Sequence, residues 1–229
     1  MKTLTKHLCE IRFKPDPKIL DKRGEITGAL SDVTFPNWKI ANNRIDFGNN
    51  KDLFAAAFFS YRNLGTSSCF PHNSKYFVDI TKEFIKKSWI FFPNNNTMRV
   101  GVRSSVLVDL SKNFKDYFEA YKKNISVFTK KNLFKAELVD VGLNLNFANG
   151  DEYFNITTGP MEREQTKIFF DENPDEDLPN TCVYVEVDYF KKDFKPSVKQ
   201  KDIFKIIDDG ISKSEEISSS ITSIILGKE

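Results

Sequence analysis

The chain has 229 residues, of which 40% are hydrophobic and 29% charged, so it can bury a substantial core without staples and no long stretch defaults to disorder. A net charge of only +2 conceals an asymmetry: residues 1–97 carry 15 Lys and Arg against 9 Asp and Glu, a net of +6, while the remainder carries 19 against 23, a net of −4. Three widely spaced cysteines, Cys9, Cys69 and Cys182, lack a CxxC spacing and argue against a disulfide framework. The first seven residues lack the apolar run of a signal peptide, and no stretch approaches the roughly 18 apolar residues of a membrane span, so a cytoplasmic protein is expected.

Leu8 to Phe13 reads as a first strand, broken by Pro15 and Pro17. Ile19, Ile26 and Leu30 then line a helix or an irregular segment, with Gly24 and Gly28 weakening the helix. Trp38 to Ile40 and Arg44 to Phe47 are short strands on either side of an Asn42-Asn43 turn. Leu53 to Tyr61 fits helix through its alanines and a buried strand through its aromatics. Gly65 to Asn73 is expected to be a polar, mobile loop. A helix capped by Asp79 or Thr81 follows, with Glu83 in its first turn and Lys86 and Lys87 near its end; Pro93 and Asn94-Asn95-Asn96 stop it and mark the seam between two halves, 1–97 and 98–229.

The second half opens with a strand from Met98 to Val108 and a helix from about Asn113 to Phe128, whose aromatics recur at steps of three and four. Strands are expected near Ala136 to Phe147, Tyr153 to Thr158 and Cys182 to Phe190, the first two joined by a hairpin at Ala148-Asn149-Gly150-Asp151. A further strand over Lys167 to Asp171 leads to an acidic loop, Asp171 to Asp177, which lacks the spacing and glycine of an EF-hand and reads as a solvated connection. The last quarter is the most informative. Isoleucines from Ile203 to Ile225 lay an apolar stripe along one long helix, and a sheet is the natural cover for it.

Both halves therefore read strand, helix or irregular turn, antiparallel strands, helix. The predicted fold class is α+β: one antiparallel sheet with helices on one face, built as two pseudo-equivalent halves in a TATA-binding-protein-like arrangement and forming one compact unit.

Four blocks, Cys9-Glu10-Ile11-Arg12-Phe13, Arg99-Val100-Gly101-Val102-Arg103, Phe154 to Gly159, and Val185-Glu186-Val187-Asp188-Tyr189-Phe190 before the long helix, resemble a sporadically distributed family of uncharacterised bacterial proteins of about 250 residues. The resemblance spans nearly the whole chain. The central strand departs from it, since Ser104-Ser105-Val106 stands where the family has an Asn-containing ending. Patchy distribution implies accessory genes, of the antiviral defence or toxin–antitoxin type.

No P-loop, dinucleotide loop, HExxH, zinc spacing or nucleophile elbow is present, and no metal or cofactor is expected. The two histidines, His7 and His72, each stand near a cysteine, Cys9 and Cys69, without a further orienting group. Alternation places Glu10 and Arg12 on one face of the first strand, and Arg99 and Arg103 on one face of the central strand. Glu186 and Asp188 are their natural cross-strand partners. These six residues are the candidate binding face, where paired arginines can grip a carboxylate or phosphate. The serines at 218–220 and 223 allow close packing of the last helix on the sheet, or on a second copy of the chain. The first expectation is a non-enzymatic protein-binding module with a protein partner or a homodimer. Nucleic-acid binding by the open sheet face is the alternative, and an unrecognised enzyme using a carboxylate as general base is the third reading.

Overall fold

A computed structural model describes residues 2–31, 34–49, 55–69, 73–93, 96–124, 138–170, 177–195 and 197–226. The first half runs β1 (Lys2–Phe13), α1 (Lys18–Asp21), α2 (Arg23–Leu30), β2 (Asn37–Ile40), β3 (Arg44–Gly48), β4 (Ala55–Ser60), β5 (Asn63–Cys69) and α3 (Ser74–Ser88). The second runs β6 (Thr97–Asp109), α4 (Phe114–Asn124), β7 (Leu143–Asn149), β8 (Glu152–Glu162), α5 (Arg163–Phe169), β9 (Thr181–Lys192) and α6 (Gln200–Leu226).

All nine strands join one antiparallel sheet in the order β2-β3-β4-β5-β1-β6-β9-β8-β7. The two opening strands pair at its centre, from Lys2 opposite Asp109 to Arg12 opposite Arg99. Each half starts at that centre, moves to an edge through its helical segment, and returns to lie beside its own first strand before its last helix. This is the antiparallel α+β fold class expected from the sequence.

Alternation along β1 and β6 divides the faces. Cys9, Ile11, Phe13, Val100 and Val102 point to one side and form a core with Phe77, Phe84, Ile85, Ile203, Ile206 and Ile207. A second core joins Val106, Val108, Val183, Val185 and Val187 to Tyr117, Phe118, Tyr121 and Ile225. The long helix α6 bridges the two cores, crossing β6 and β9. At Gly210 it lies so close that an added Cβ would stand 2.9 Å from the Val102 Cβ and from Tyr189. Among the described residues, no helix is long and apolar enough to cross a membrane.

Several expectations need correction. Residues 65–69 form part of strand β5, inserted between β1 and β4. Its backbone is paired by the ladders on both sides, and the Thr66 hydroxyl meets that of Thr81 from α3 at 2.6 Å. Gly65 is required there, because a Cβ would stand 2.1 Å from the Cys9 carbonyl oxygen. The ambiguous stretch contributes strand β4; Leu53 and Phe54 lie outside the described residues. Helix α3 begins earlier than expected, because Asn73 accepts from the Tyr76 amide at 2.9 Å and caps it, leaving Asp79 and Thr81 inside.

The region expected as a strand from Lys167 is helix α5, started by a capping box between Glu162 and Gln165. This helix is also the exception to the one-sided rule. With Phe170 and Leu178 it packs on Leu107, Cys182 and Tyr184, on the face opposite the other helices. Strand β7 begins only at Leu143 and α4 is described to Asn124, so the expected helix residues 125–128 and the acidic residues 171–176 lie outside the described residues. The hairpin turn is where Asn-Gly predicts it, with Gly150 at φ +60°.

Candidate binding face on the open side of the sheet

The centre of the sheet's second face carries the six residues expected from alternation, and the structure brings all of them together. Arg99 is the hub. Its Nη2 donates to Asp188 Oδ1 at 2.5 Å, and its Nη1 lies 3.7 Å from Glu10 Oε2. Gly101 makes this possible, because a Cβ there would stand about 3 Å from the Arg99 guanidinium and 2.9 Å from Phe190. Arg99 thus folds across a missing side chain and lies 4.3 Å from the Phe190 ring centroid. Arg12 donates to Glu10 Oε2 at 2.7 Å, and Asn63 donates to Glu10 Oε1 at 2.6 Å. Burial alone would raise the Glu10 carboxyl, but the hydrogen bonds from Arg12 and Asn63, with the charges of Arg12 and Arg99, hold it below the usual carboxylate range.

Arg103 is held differently. It stands opposite Asp188 in the ladder, yet its closest approaches are 3.8 Å to Asp188 Oδ2 and 3.9 Å to Glu186 Oε1. Neither is a hydrogen bond. Its Nε is buried without an acceptor, while 43% of the side chain remains exposed. Glu186 is occupied from the other side, accepting from Ser105 at 3.0 Å and from the Tyr184 hydroxyl at 2.8 Å.

At the end of the sheet where β1 and β9 finish and β6 begins, the face drops into a cleft of about 1110 Å³. Six cations line it, Arg12, Lys14, Arg62, Arg99, Lys192 and Lys195, against the carboxylates of Glu10 and Asp193. Phe190 and Phe194 supply aromatic surface, and Lys192 lies 4.2 Å from the ring centroid of Tyr153, itself stacked on Phe190. Sequence reasoning missed Lys14, Arg62, Lys192 and Lys195. A signal was present: basic residues at the ends of β1, β4 and β9, which antiparallel pairing gathers at one end of the sheet.

His7 and Cys9 share the helix-covered face, but His7 Nδ1 pairs with Ser104 Oγ at 2.9 Å. Burial pushes the Cys9 and Cys182 thiols up to about 12 and lowers His7 to about 4. Cys69 is buried, and His72 lies outside the described residues. Among the described residues no cluster of three or more His, Cys, Asp or Glu side chains is placed to hold a metal ion. Compared with protein-family models and with curated proteins, the chain matches none.

Proposed function

We propose that this chain is a non-enzymatic protein-binding module that docks an acidic segment of a partner on the open sheet face around Arg103. The observation that carries the reading is the half-satisfied guanidinium of Arg103, exposed beside a ladder in which Arg12 and Arg99 already hold close carboxylate partners. A partner carboxylate at the exposed end of the Arg103 guanidinium supplies a closer counter-charge than Glu186 and Asp188, which stand 3.9 and 3.8 Å away, and the cationic cleft extends the same attraction to further acidic residues. The fixed carboxylates of Glu10, Glu186 and Asp188 repel any continuous run of negative charge along the centre of the face, which favours a partner that brings a single carboxylate to Arg103 over a polyphosphate chain. Thiols raised by burial and a histidine held neutral also fit a binding role better than nucleophilic catalysis. The block resemblance supports a role for such a module in a cytoplasmic accessory system of the defence or toxin–antitoxin type.

The test is purification of the tagged chain from its own host at low salt, alongside Arg103→Glu and a control on the helix side, Glu216→Ala. A stoichiometric partner retained by the native chain and the control but lost by Arg103→Glu supports the reading. A monomeric, partner-free protein refutes it.

The six-cation cleft with Phe190 and Phe194 favours a second reading, docking of single-stranded nucleic acid. Binding of a labelled oligonucleotide that weakens steeply with salt and is lost in Lys195→Glu identifies that case.

A further inference from the structure

On the opposite side of the sheet, between the two hydrophobic cores, lies a cavity of about 430 Å³ that neither core fills. Its position follows from α6. The helix is pressed onto the sheet at Gly210 and packs again at Ile225, while the residues it turns to the cavity between them, Ser214, Ser218 and Thr222, are small. The walls are hydroxyls and one imidazole: Thr3, Thr5 and His7 from β1, Ser104 from β6, Ser218 and Thr222 from α6.

Two of these groups are buried and unpaired. His7 is 2% exposed and Ser218 is 7% exposed, yet His7 Nε2 and Ser218 Oγ have no hydrogen-bond partner. The other hydroxyls are oriented. Ser214 and Thr222 spend their protons on the helix carbonyls of Gly210 and Ser218, both at 2.7 Å, and so turn lone pairs toward the space. The cavity combines these polar groups with a largely apolar lining and is large enough for more than one water, and the unpaired atoms set the positions its occupant must satisfy.

The walls also select charge. Among the described residues, no Lys or Arg lines the cavity, the imidazole is neutral at physiological pH, and the single ionised residue is Glu215, exposed at the rim and accepting from the Ser74 hydroxyl at 2.5 Å. An anion finds no counter-charge there. Val106 and Val108 give the floor an apolar patch suited to the C–H face of a saturated ring. We infer that this cavity binds a small uncharged polyol, either the ribose of a nucleoside or a free sugar, with His7 Nε2 and Ser218 Oγ as its fixed hydrogen-bonding points.

The site is on the other side of the sheet from the proposed docking face and stands or falls separately. The test uses the full chain with 15N-labelled histidine, titrated with adenosine, ribose and glucose in turn. His72→Gln assigns the two ring systems. The expected result is a saturable shift of the His7 ring nitrogens with at least one probe, weakened by about tenfold or more in Ser218→Leu, which fills the cavity. A response to adenosine but not ribose identifies the nucleoside; a response to ribose or glucose identifies a free sugar. Should Ser218→Leu fail to fold, Thr5→Val removes one hydroxyl at constant volume and is expected to weaken the same response. Absence of any His7 shift up to the solubility limit of all three probes, or a shift unchanged in the cavity variants, overturns the inference and leaves water as the occupant.

Discussion

Two glycines in helices give opposite predictions for the same substitution. Replacing Gly by Ala inside a helix gains about 1 kcal/mol of intrinsic propensity. At Gly28 of α2 nothing lies within 4 Å of the new methyl, so Gly28→Ala is expected to stabilise the fold by about 0.5–1 kcal/mol. At Gly210 of α6 the same methyl meets the Val102 Cβ at 2.9 Å and the Tyr189 ring at 2.9 Å. Neither neighbour yields easily: Val102 is fully buried and branched at that carbon, and the Tyr189 hydroxyl is tied to Glu152 at 2.9 Å. Overpacking of this kind costs about 1–3 kcal/mol, which outweighs the propensity gain, so Gly210→Ala is expected to destabilise by up to about 2 kcal/mol. Gly210→Val is expected to be worse, with more bulk and less propensity gained. Urea unfolding of the three variants measures the differences directly, and for a chain of this size each kcal/mol shifts the melting temperature by about 2–4 °C. A Gly210→Ala protein as stable as Gly28→Ala would refute close contact between α6 and the sheet.

Four further outcomes are expected. Ile207→Asp places a carboxylate at a fully buried position of the main core and is expected to give unfolded or insoluble protein, so a native melting temperature would remove α6 from the core. Arg99→Ala strands Asp188 and is expected to cost about 2–3 kcal/mol, below the usual range for a buried pair because Arg103 stands nearby, whereas Arg12→Ala, at a half-exposed position, costs about 1 kcal/mol or less; equal losses in urea would mean that Arg99 is not the hub. His7 is held near 4 in the folded chain against about 6.5 unfolded, so the unfolded state binds the extra proton: its contribution is complete above pH 6.5 and is lost as pH falls toward 4, amounting to about 3 kcal/mol. Glu10 and Glu152, both lowered, lose theirs only at more acidic pH, so His7→Gln should flatten the stability profile between pH 6.5 and 4 and leave the steeper acid limb in place. Thiol reagents at pH 8 are expected to leave Cys9 and Cys182 unmodified until denaturant is added, and rapid labelling of the native protein would show that they are not buried.

The elements legible in the sequence are those whose pattern and environment agree. Alternation in β6 and β9, the isoleucine stripe of α6 and the Asn-Gly hairpin report local geometry and burial together, and the six charged residues of the open face follow from the same alternation. The misreadings arise where tertiary context overrides composition. Gly65-Thr66-Ser67-Ser68 has the composition of a loop, but becomes a central strand because β1 and β4 lie on either side and Thr81 answers Thr66 from α3. The α5 segment is short and carries exposed Ile168 and Phe169, which suggests a strand; its capping box decides for helix. The cleft was missed for a different reason. Lys14, Arg62 and Lys195 lie far apart in the chain, and only the strand order brings them to one end of the sheet.

The register at the centre of the sheet explains why the open face is both rigid and incomplete. Pairing β1 with β6 sets Arg12 directly opposite Arg99, an arrangement that is unfavourable by itself. Glu10 relieves it by lying between them, hydrogen-bonded to Arg12 and facing Arg99 at 3.7 Å, and the irregularity between Arg12 and Phe13 ends the strict pairing just beyond. One carboxylate thus serves two guanidinium groups, while Asp188 is drawn to Arg99 and away from the residue it opposes in the ladder, Arg103. Arg103 is left short of an acceptor by the same geometry that satisfies its neighbours. A one-residue slip of β1 against β6 would turn Glu10 toward the core, so the face keeps its pattern only in this register. A charge left half-paired on the surface is the premise of the proposed docking face, with Arg103 at its centre and Glu10 as the residue that holds Arg12 and Arg99 in place.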